Sequence, residues 1–174
     1  SSGPVLLLRF DMDALPVQEE TGAEYASENS GIMHACGHDG HTAIGLTVAR
    51  ILQRHYQELA GTVKLVFQPA EEGLGGAERM VAEGVLDNPR PDSSLALHLW
   101  NELPIGTLAF TPGPFMAASE TFKIILTGRG GHGAMPHTTR DPISAAAQIL
   151  NGIQTIISRE LNPLDSAVIS VTSI

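Results

Sequence analysis

Histidine, cysteine and carboxylate side chains gather in four short segments of this chain, and these residue types bind transition metals. The segment MHACGHDGH holds the single cysteine, Cys36, and three of the seven histidines. Cys36 and His38 flank a glycine, so a turn can direct both side chains at one ion. Thiolate and imidazole ligands suit zinc, nickel or cobalt, and carboxylates extend the choice to manganese. A metal site is therefore the first interpretation of this segment.

The adjacent pair Glu71 and Glu72 follows the apolar run TVKLVFQ and Pro69. Neighbouring residues at a strand end point in different directions, so one carboxylate can bind metal while the other faces substrate. A free carboxylate beside a metal-activated water can take its proton and return it to a leaving amine. The pair therefore indicates metal-assisted hydrolysis.

Alternating strands and helices must position these groups. The apolar patterns predict strands at 4–10, 62–68 and 94–100, a helix over 41–59 and a second helix opened by residues 73–76. Such alternation is typical of an α/β domain with a largely parallel sheet and flanking helices. Ligands collect beyond the carboxyl ends of parallel strands, where DMD, Glu71-Glu72 and His98 are expected.

The character of the chain changes after a segment rich in proline and glycine that ends near residue 116. Residues 120–130 alternate like a strand, 141–160 have helical periodicity, and 165–174 again resemble a strand. We therefore expect a partial catalytic domain over 1–116 and a partial second domain over 117–174.

Composition narrows the class of protein. The 174 residues are 43% hydrophobic with a net charge of −9, which favours a globular chain and argues against a nucleic-acid partner because no basic run is present. No apolar stretch approaches the roughly 18 residues that span a bilayer, and no charged leader precedes the first apolar run. A soluble, non-exported, cytoplasmic chain without a membrane partner is the expectation.

Other interpretations stay open at this point. Cys36 could be an inert buried thiol, or the nucleophile of a thiol hydrolase with His38 or His41 as base. The thiol hypothesis gives Glu71, Glu72 and His98 no role. The remaining candidates also have structural interpretations: His98 as a core histidine, Asp11 as a turn residue, and His34, His41 and His55 as structural or solvated side chains.

Five segments, in this order and spacing, carry a resemblance: LLLRFDMDALPVQEETG, MHACGHDGHTA, VFQPAEEGLGGAERMV, ALHLW and GRGGHGAMPH. The chain resembles, from Val5 to Ile174, the amidohydrolase branch of the aminoacylase and carboxypeptidase metallopeptidase family, which includes hippurate, auxin-conjugate and N-acyl-amino-acid hydrolases. The resemblance implies a zinc-peptidase-like catalytic domain with an inserted α+β lid that forms a homodimer. It also implies metal-dependent hydrolysis of N-acyl amino acids with one or two divalent ions of Mn, Zn, Ni or Co.

The resemblance also implies a role for each matching residue. Glu71 would be the general base, Asp13 would orient the centre, and His132 would reach the partner's active site to stabilise the oxyanion. His137 would only shape its loop. The metal ligands would be Cys36, which bridges two ions, with His38, Glu72 and His98.

Members of this family extend beyond both ends of the matched region, and the later part supplies one more histidine ligand. The chain is therefore expected to be a fragment of a longer enzyme. The alternative is an inactive truncated relative that binds metal or dimerises through its lid. No motif distinguishes acetyl, benzoyl, auxin or longer acyl groups.

Overall fold

The computed structural model describes residues 3–174, which divide into two compact units. The first unit ends at Ala109 and the second runs from Phe110 to Ile174. This division falls a little before the predicted boundary at residue 116. The assignment of the two parts as catalytic and lid domains stays a prediction.

A parallel three-stranded sheet forms the centre of the first unit. Its strands are β1 (Val5–Asp11), β2 (Thr62–Gln68) and β3 (Ser93–Ala96), in the spatial order β2-β1-β3. The predicted α/β class with a parallel sheet is confirmed. β1 is the central strand, and its continuous apolar run is typical of strands in parallel sheets. The buried apolar core includes Val5, Leu7, Phe10 and Val66.

Helix α1 (His38–Arg54) begins inside the CGHDGH segment, three residues before the predicted start at 41. Gly37 occupies the N-cap with φ 77°, a left-handed conformation that suits glycine. The chain can therefore turn into the helix directly after Cys36. The helix ends at Arg54 rather than at the predicted residue 59, and a 3₁₀ turn follows at Tyr56–Glu58.

Helix α1 packs against the sheet through a buried glycine. A Cβ atom at Gly45 would lie 2.8 Å from ring atoms of both Phe10 and Phe67, closer than real Cβ contacts allow. These two rings, one on β1 and one on β2, have centroids 5.6 Å apart. The missing side chain at Gly45 thus lets α1 approach both strands whose ends carry functional groups.

Helix α2 covers Gly76–Ala82, and β3 is shorter than the predicted strand at 94–100. Because β3 ends at Ala96, His98 lies beyond the last strand residue. Its position therefore depends on contacts other than the strand ladder.

The second unit contains helix α3 (Pro142–Thr155), followed by a π-helical turn at Ile156–Glu160. Asp141 caps α3 by accepting a hydrogen bond from the Ile143 N–H. The predicted strands at 120–130 and 165–174 are wrong, since the described residues of this unit contain only an isolated bridge between Arg129 and Arg140. Alternation favours a strand, but a strand needs a continuous hydrogen-bonded partner. Among the described residues, the segment 120–130 pairs through the single bridge at Arg129, and no bridge involves 165–174.

No helix within residues 3–174 has both the length and the apolar character needed to cross a membrane.

We expect Gly45→Ala to destabilise the chain by about 1–3 kcal/mol, because the added methyl group overpacks the contact with Phe10 and Phe67. Gly152→Ala is the matched control: Gly152 lies in α3 with nothing within 4 Å of a Cβ atom, so helix propensity should make the change neutral or stabilising by up to ~1 kcal/mol. Urea unfolding of both variants measures the difference. Equal effects at the two positions would contradict the packing argument.

Candidate metal centre

The carboxyl ends of all three strands meet the start of α1 at one edge of the sheet. β1 ends at Asp11, with Asp13 two residues later, and α1 begins at His38 directly after Cys36 and Gly37. Glu71 and Glu72 follow β2, and His98 follows β3. The predicted metal ligands, together with Asp13 and Glu71, therefore fall in one cluster.

Two overlapping groups of metal-binding side chains share His38. Cys36, His38 and His98 place one ligand atom each within 4.8 Å of one another, and so do His38, Glu71 and Glu72. The Cys36 Sγ and His98 Nε2 atoms are 3.4 Å apart, and His38 Nε2 is 3.8 Å from Glu72 Oε1. These separations between ligand atoms are compatible with atoms that each lie about 2.0–2.3 Å from one shared ion.

His38 has a buried nitrogen with no protein partner. Its Nδ1 lies 3.1 Å from the Asp13 backbone carbonyl and 3.3 Å from Asp13 Oδ1. A carbonyl oxygen can only accept, so Nδ1 donates and the neutral ring carries a lone pair on Nε2. That Nε2 is buried, and it is the one buried side-chain nitrogen or oxygen without a hydrogen bond in the described part of the chain. A lone pair presented in this way fits a metal ion.

His98 is oriented by the same device. Its Nδ1 lies 2.7 Å from the Leu99 backbone carbonyl and must donate to it, which leaves the lone pair on Nε2. That lone pair faces Cys36 Sγ. Two imidazole nitrogens, a thiol and a carboxylate converge on one region, and this ligand set suits a divalent ion such as zinc.

Asp13 orients groups on both sides of the cluster. Its Oδ2 accepts a hydrogen bond from the Glu72 backbone N–H at 3.1 Å, while its Oδ1 faces His38. Burial alone would raise the pKa of Asp13, but hydrogen bonds from the backbone of Glu72 and Glu71, with the nearby His38, lower that pKa below its ordinary value. Asp13 is therefore a carboxylate that fixes the ring of His38 and the backbone at Glu72.

Asp11 and His41 form a second, fully buried polar cluster behind His38. His41 Nδ1 lies 2.5 Å from Asp11 Oδ1, and His41 Nε2 accepts the Leu99 backbone N–H at 2.8 Å. The distances among Asp11, His38 and His41 would also permit a metal ion. Both nitrogens of His41 are already paired, however, so His41 has no lone pair for an ion.

The involvement of Asp11 and His41 is what sequence reasoning missed. The signal was present: His38 and His41 are three residues apart on one helix, so they share a face, and their ring centroids are 5.4 Å apart. The strand residue Arg9 completes the cluster through a 2.7 Å ion pair with Asp11.

Within residues 3–174, the other four histidines belong to none of the candidate ligand groups. His34 is exposed, and His55 is an exposed side chain paired with Glu58 at 3.0 Å. His132 and His137 belong to the second unit. There the Ala134 backbone N–H donates to His132 Nδ1 at 3.2 Å, so the neutral His132 ring carries its proton on Nε2.

Known proteins are similar to this chain in sequence and in structure. Three curated relatives show the similarity in sequence. N-acetyl-L-cysteine deacetylase of Bacillus subtilis is 46% identical over 100% of this chain and 41% of its own length. N-acyl-L-amino acid amidohydrolase of Geobacillus stearothermophilus is 48% identical over 98% of this chain and 46% of its own length. IAA-amino acid hydrolase ILR1-like 2 of Arabidopsis thaliana is 47% identical over 98% of this chain and 38% of its own length.

The chain thus spans less than half the length of these relatives. Two solved structures are also similar. A crystal structure described as an aminohydrolase of methicillin-resistant Staphylococcus aureus matches with a TM-score of 0.77 and 37% identity, over 98% of this chain and 45% of the other. The Bacillus subtilis YXEP protein, described as a dinuclear metal-binding peptidase of the M20 family, matches with a TM-score of 0.62 and 45% identity, over 64% of this chain and 31% of the other.

The model of Peptidase family M20/M25/M40 matches residues 7–169, which include the strand ends, the start of α1 and the His132 loop. This match covers most of the chain, and the relatives agree with it. The protein therefore belongs to Peptidase family M20/M25/M40.

Proposed function

We propose that this protein hydrolyses the amide bond of N-acyl amino acids with a divalent transition metal held by Cys36, His38, Glu72 and His98. The observation that carries the proposal is the unpartnered, buried Nε2 of His38, which faces carboxylates and lies near a thiol. The names of the relatives support the substrate class, since they include an N-acyl-L-amino acid amidohydrolase and an N-acetyl-L-cysteine deacetylase.

The metal would be one or two ions of zinc, manganese, nickel or cobalt, the set that thiolate, imidazole and carboxylate ligands permit. Such an ion supplies Lewis acidity, which polarises a carbonyl group and lowers the pKa of water. The protein contributes two imidazole lone pairs whose directions are fixed by hydrogen bonds. Both His38 and His98 donate from Nδ1 to a backbone carbonyl.

Glu71 and Glu72 have separable roles in this proposal. Asp13 fixes the backbone N–H of Glu72, and the Glu72 side chain approaches His38 Nε2, as a ligand would. Glu71 is exposed at the same edge and is free to meet substrate. It takes a proton from the attacking water as the oxygen bonds to the acyl carbon. It returns that proton to the amine nitrogen as the C–N bond breaks.

His132 of a neighbouring subunit would stabilise the negative charge on the acyl oxygen. Its Nδ1 accepts the Ala134 N–H, which leaves an Nε2–H as a donor. A donor aimed at the developing oxyanion strengthens its interaction as the tetrahedral intermediate forms, so it lowers the barrier selectively. This role requires a homodimer that brings the second unit of one chain to the first unit of another.

Two alternatives have distinct consequences. A relative without activity would bind metal and hydrolyse no acyl amino acid. A thiol hydrolase would need Cys36 as a thiolate at neutral pH. Burial, a hydrogen bond to Glu72 and the negative charges of Glu72, Glu71 and Asp11 raise the pKa of Cys36 to about 11, which opposes that role. The cytoplasmic setting stays a prediction.

Replacement of Glu71 by Gln should lower kcat by about 10²–10⁴-fold, because the general base is lost while the ligand set is intact. Its neighbour provides the matched control: Glu72→Gln should weaken metal binding instead. Metal content by elemental analysis and release of free amino acid from N-acetyl and N-benzoyl amino acids give the two measurements. Full activity in the Glu71 variant would contradict the assignment of Glu71 as the general base.

Action of His132 across a dimer can be tested by mixing two inactive variants, Glu71→Gln and His132→Ala. If His132 acts on the partner's site, half of the mixed population forms dimers with one intact site, and activity recovers to about a quarter of wild type. Each variant alone is the control. If His132 acts within its own chain, the mixture stays as inactive as its components.

The Cys36 thiol of the metal-free chain should react slowly with iodoacetamide at pH 8. A pKa of about 11 in place of 9.0 reduces the thiolate fraction by roughly 100-fold, and reactivity should rise as pH increases towards 11. The urea-unfolded chain is the control, because unfolding removes the burial and the nearby carboxylates. Equal rates for the folded and unfolded chains would revive the thiol hypothesis.

A further inference from the structure

His41 is a buried histidine that the proposed mechanism does not use. Its side chain is 0% exposed, and both ring nitrogens make hydrogen bonds. Its ring lies against both candidate histidine ligands: the centroid distances are 5.4 Å to His38 and 4.7 Å to His98. Burial of a polar side chain is costly unless the side chain is hydrogen-bonded, so the partners of His41 indicate its role.

The direction of each hydrogen bond follows from the groups involved. The Leu99 backbone N–H can only donate, so His41 Nε2 accepts and carries no proton. The neutral ring therefore has its proton on Nδ1 and donates it to Asp11 Oδ1. Asp11 Oδ2 pairs with Arg9, and the Arg9 Nε donates to Gln68 Oε1 at 2.8 Å. One polar chain thus runs from β2 through β1 and α1 to Leu99.

The end of this chain lies at a candidate metal ligand. The Leu99 N–H belongs to the peptide group that joins Leu99 to His98, and the Leu99 carbonyl accepts from His98 Nδ1. β3 ends at Ala96, so no strand pairing holds this peptide within the described residues. The hydrogen bond to His41 ties this peptide to a fully buried side chain, and the Leu99 side chain packs beside it against the start of α1 at Gly37 and Gly40.

We infer that His41 is a positioning residue: its Nε2 holds the peptide between His98 and Leu99, and so directs His98 Nε2 towards Cys36. Asp11 serves this arrangement by keeping the proton of His41 on Nδ1, which leaves Nε2 free to accept. The inference rests on the metal-dependent function proposed above, and it assigns to His41 a contribution to metal affinity without direct contact with the ion.

Two amide substitutions separate the hydrogen bonds of His41. The side-chain amide of His41→Gln reaches the place of Nε2, so it can accept the Leu99 N–H but loses Asp11. The shorter amide of His41→Asn reaches the place of Nδ1, so it can donate to Asp11 but loses Leu99. Each variant keeps one of the two bonds. Because His41→Gln leaves the buried Asp11 carboxylate without a partner, a purely structural role predicts the larger loss of stability and of metal affinity for His41→Gln, the reverse of the order expected here.

The affinity of the purified chain for Co²⁺ should separate the two variants, with the charge-transfer absorption of the Cys36 thiolate reporting the ion. We expect His41→Asn to bind Co²⁺ about 10–100-fold more weakly than wild type, and His41→Gln to stay within about threefold. His55→Gln is the control, since the His55 side chain is exposed and pairs with Glu58 at the surface. Urea midpoints of both His41 variants establish that they are folded.

Equal weakening in both variants, no weakening in either, or the reverse order would overturn the inference. A measurement on wild type is independent of variant folding: the Leu99 amide of the metal-free chain should be protected from hydrogen exchange, and an unprotected amide would also overturn it. Failure of the proposed function gives a different result. Wild type loaded with Co²⁺ would then hydrolyse no N-acyl amino acid, whichever of the two His41 variants binds Co²⁺ more tightly. Wild type that binds no Co²⁺ would overturn both.

Discussion

The buried charge of Asp11 is the constraint on which the rest of this unit depends. A carboxylate that is 1% exposed loses its hydration, and only charged or hydrogen-bonding partners can compensate for that loss of free energy. Arg9 on the same strand and His41 on α1 supply them, and Gln68 on β2 fixes Arg9 in turn. If one partner of a buried pair is removed, the cost is about 3–5 kcal/mol. Protein contacts alone thus hold the carboxyl edge of the sheet in one arrangement.

The candidate ligands use the backbone for orientation and keep their side-chain lone pairs for an ion. His38 and His98 each donate from Nδ1 to a main-chain carbonyl, one after β1 and one after β3. Both carbonyls lie just beyond their strands, and the Leu99 peptide is held by the bond from its N–H to His41 Nε2. These bonds restrict the rotation of the two rings. Gly37 adds the local turn that separates Cys36 from His38 and starts α1 between them.

The sequence was informative where a pattern depends on neighbours along the chain. The apolar runs located β1 and β2 to within a residue, and polar residues at strand ends identified the cluster. It was less informative where the outcome depends on distant partners. The segments 120–130 and 165–174 have strand-like alternation, but a strand forms only with a paired neighbour. The role of His41 likewise depends on Asp11 and Leu99, which no local spacing connects to it.

The strand order carries a consequence for how the chain folds. β1 pairs with residues that follow it by 57 positions in β2, as Val5 and Thr62 show, and by 87 in β3, as Leu6 and Ser93 show. Such distant pairings require large loops to close before any contact compensates for the lost chain entropy, so sheets of this kind fold slowly. All three strands must be in place before the histidines, thiol and carboxylates converge. An ion held by all of these groups therefore binds the finished unit and stabilises it by mass action.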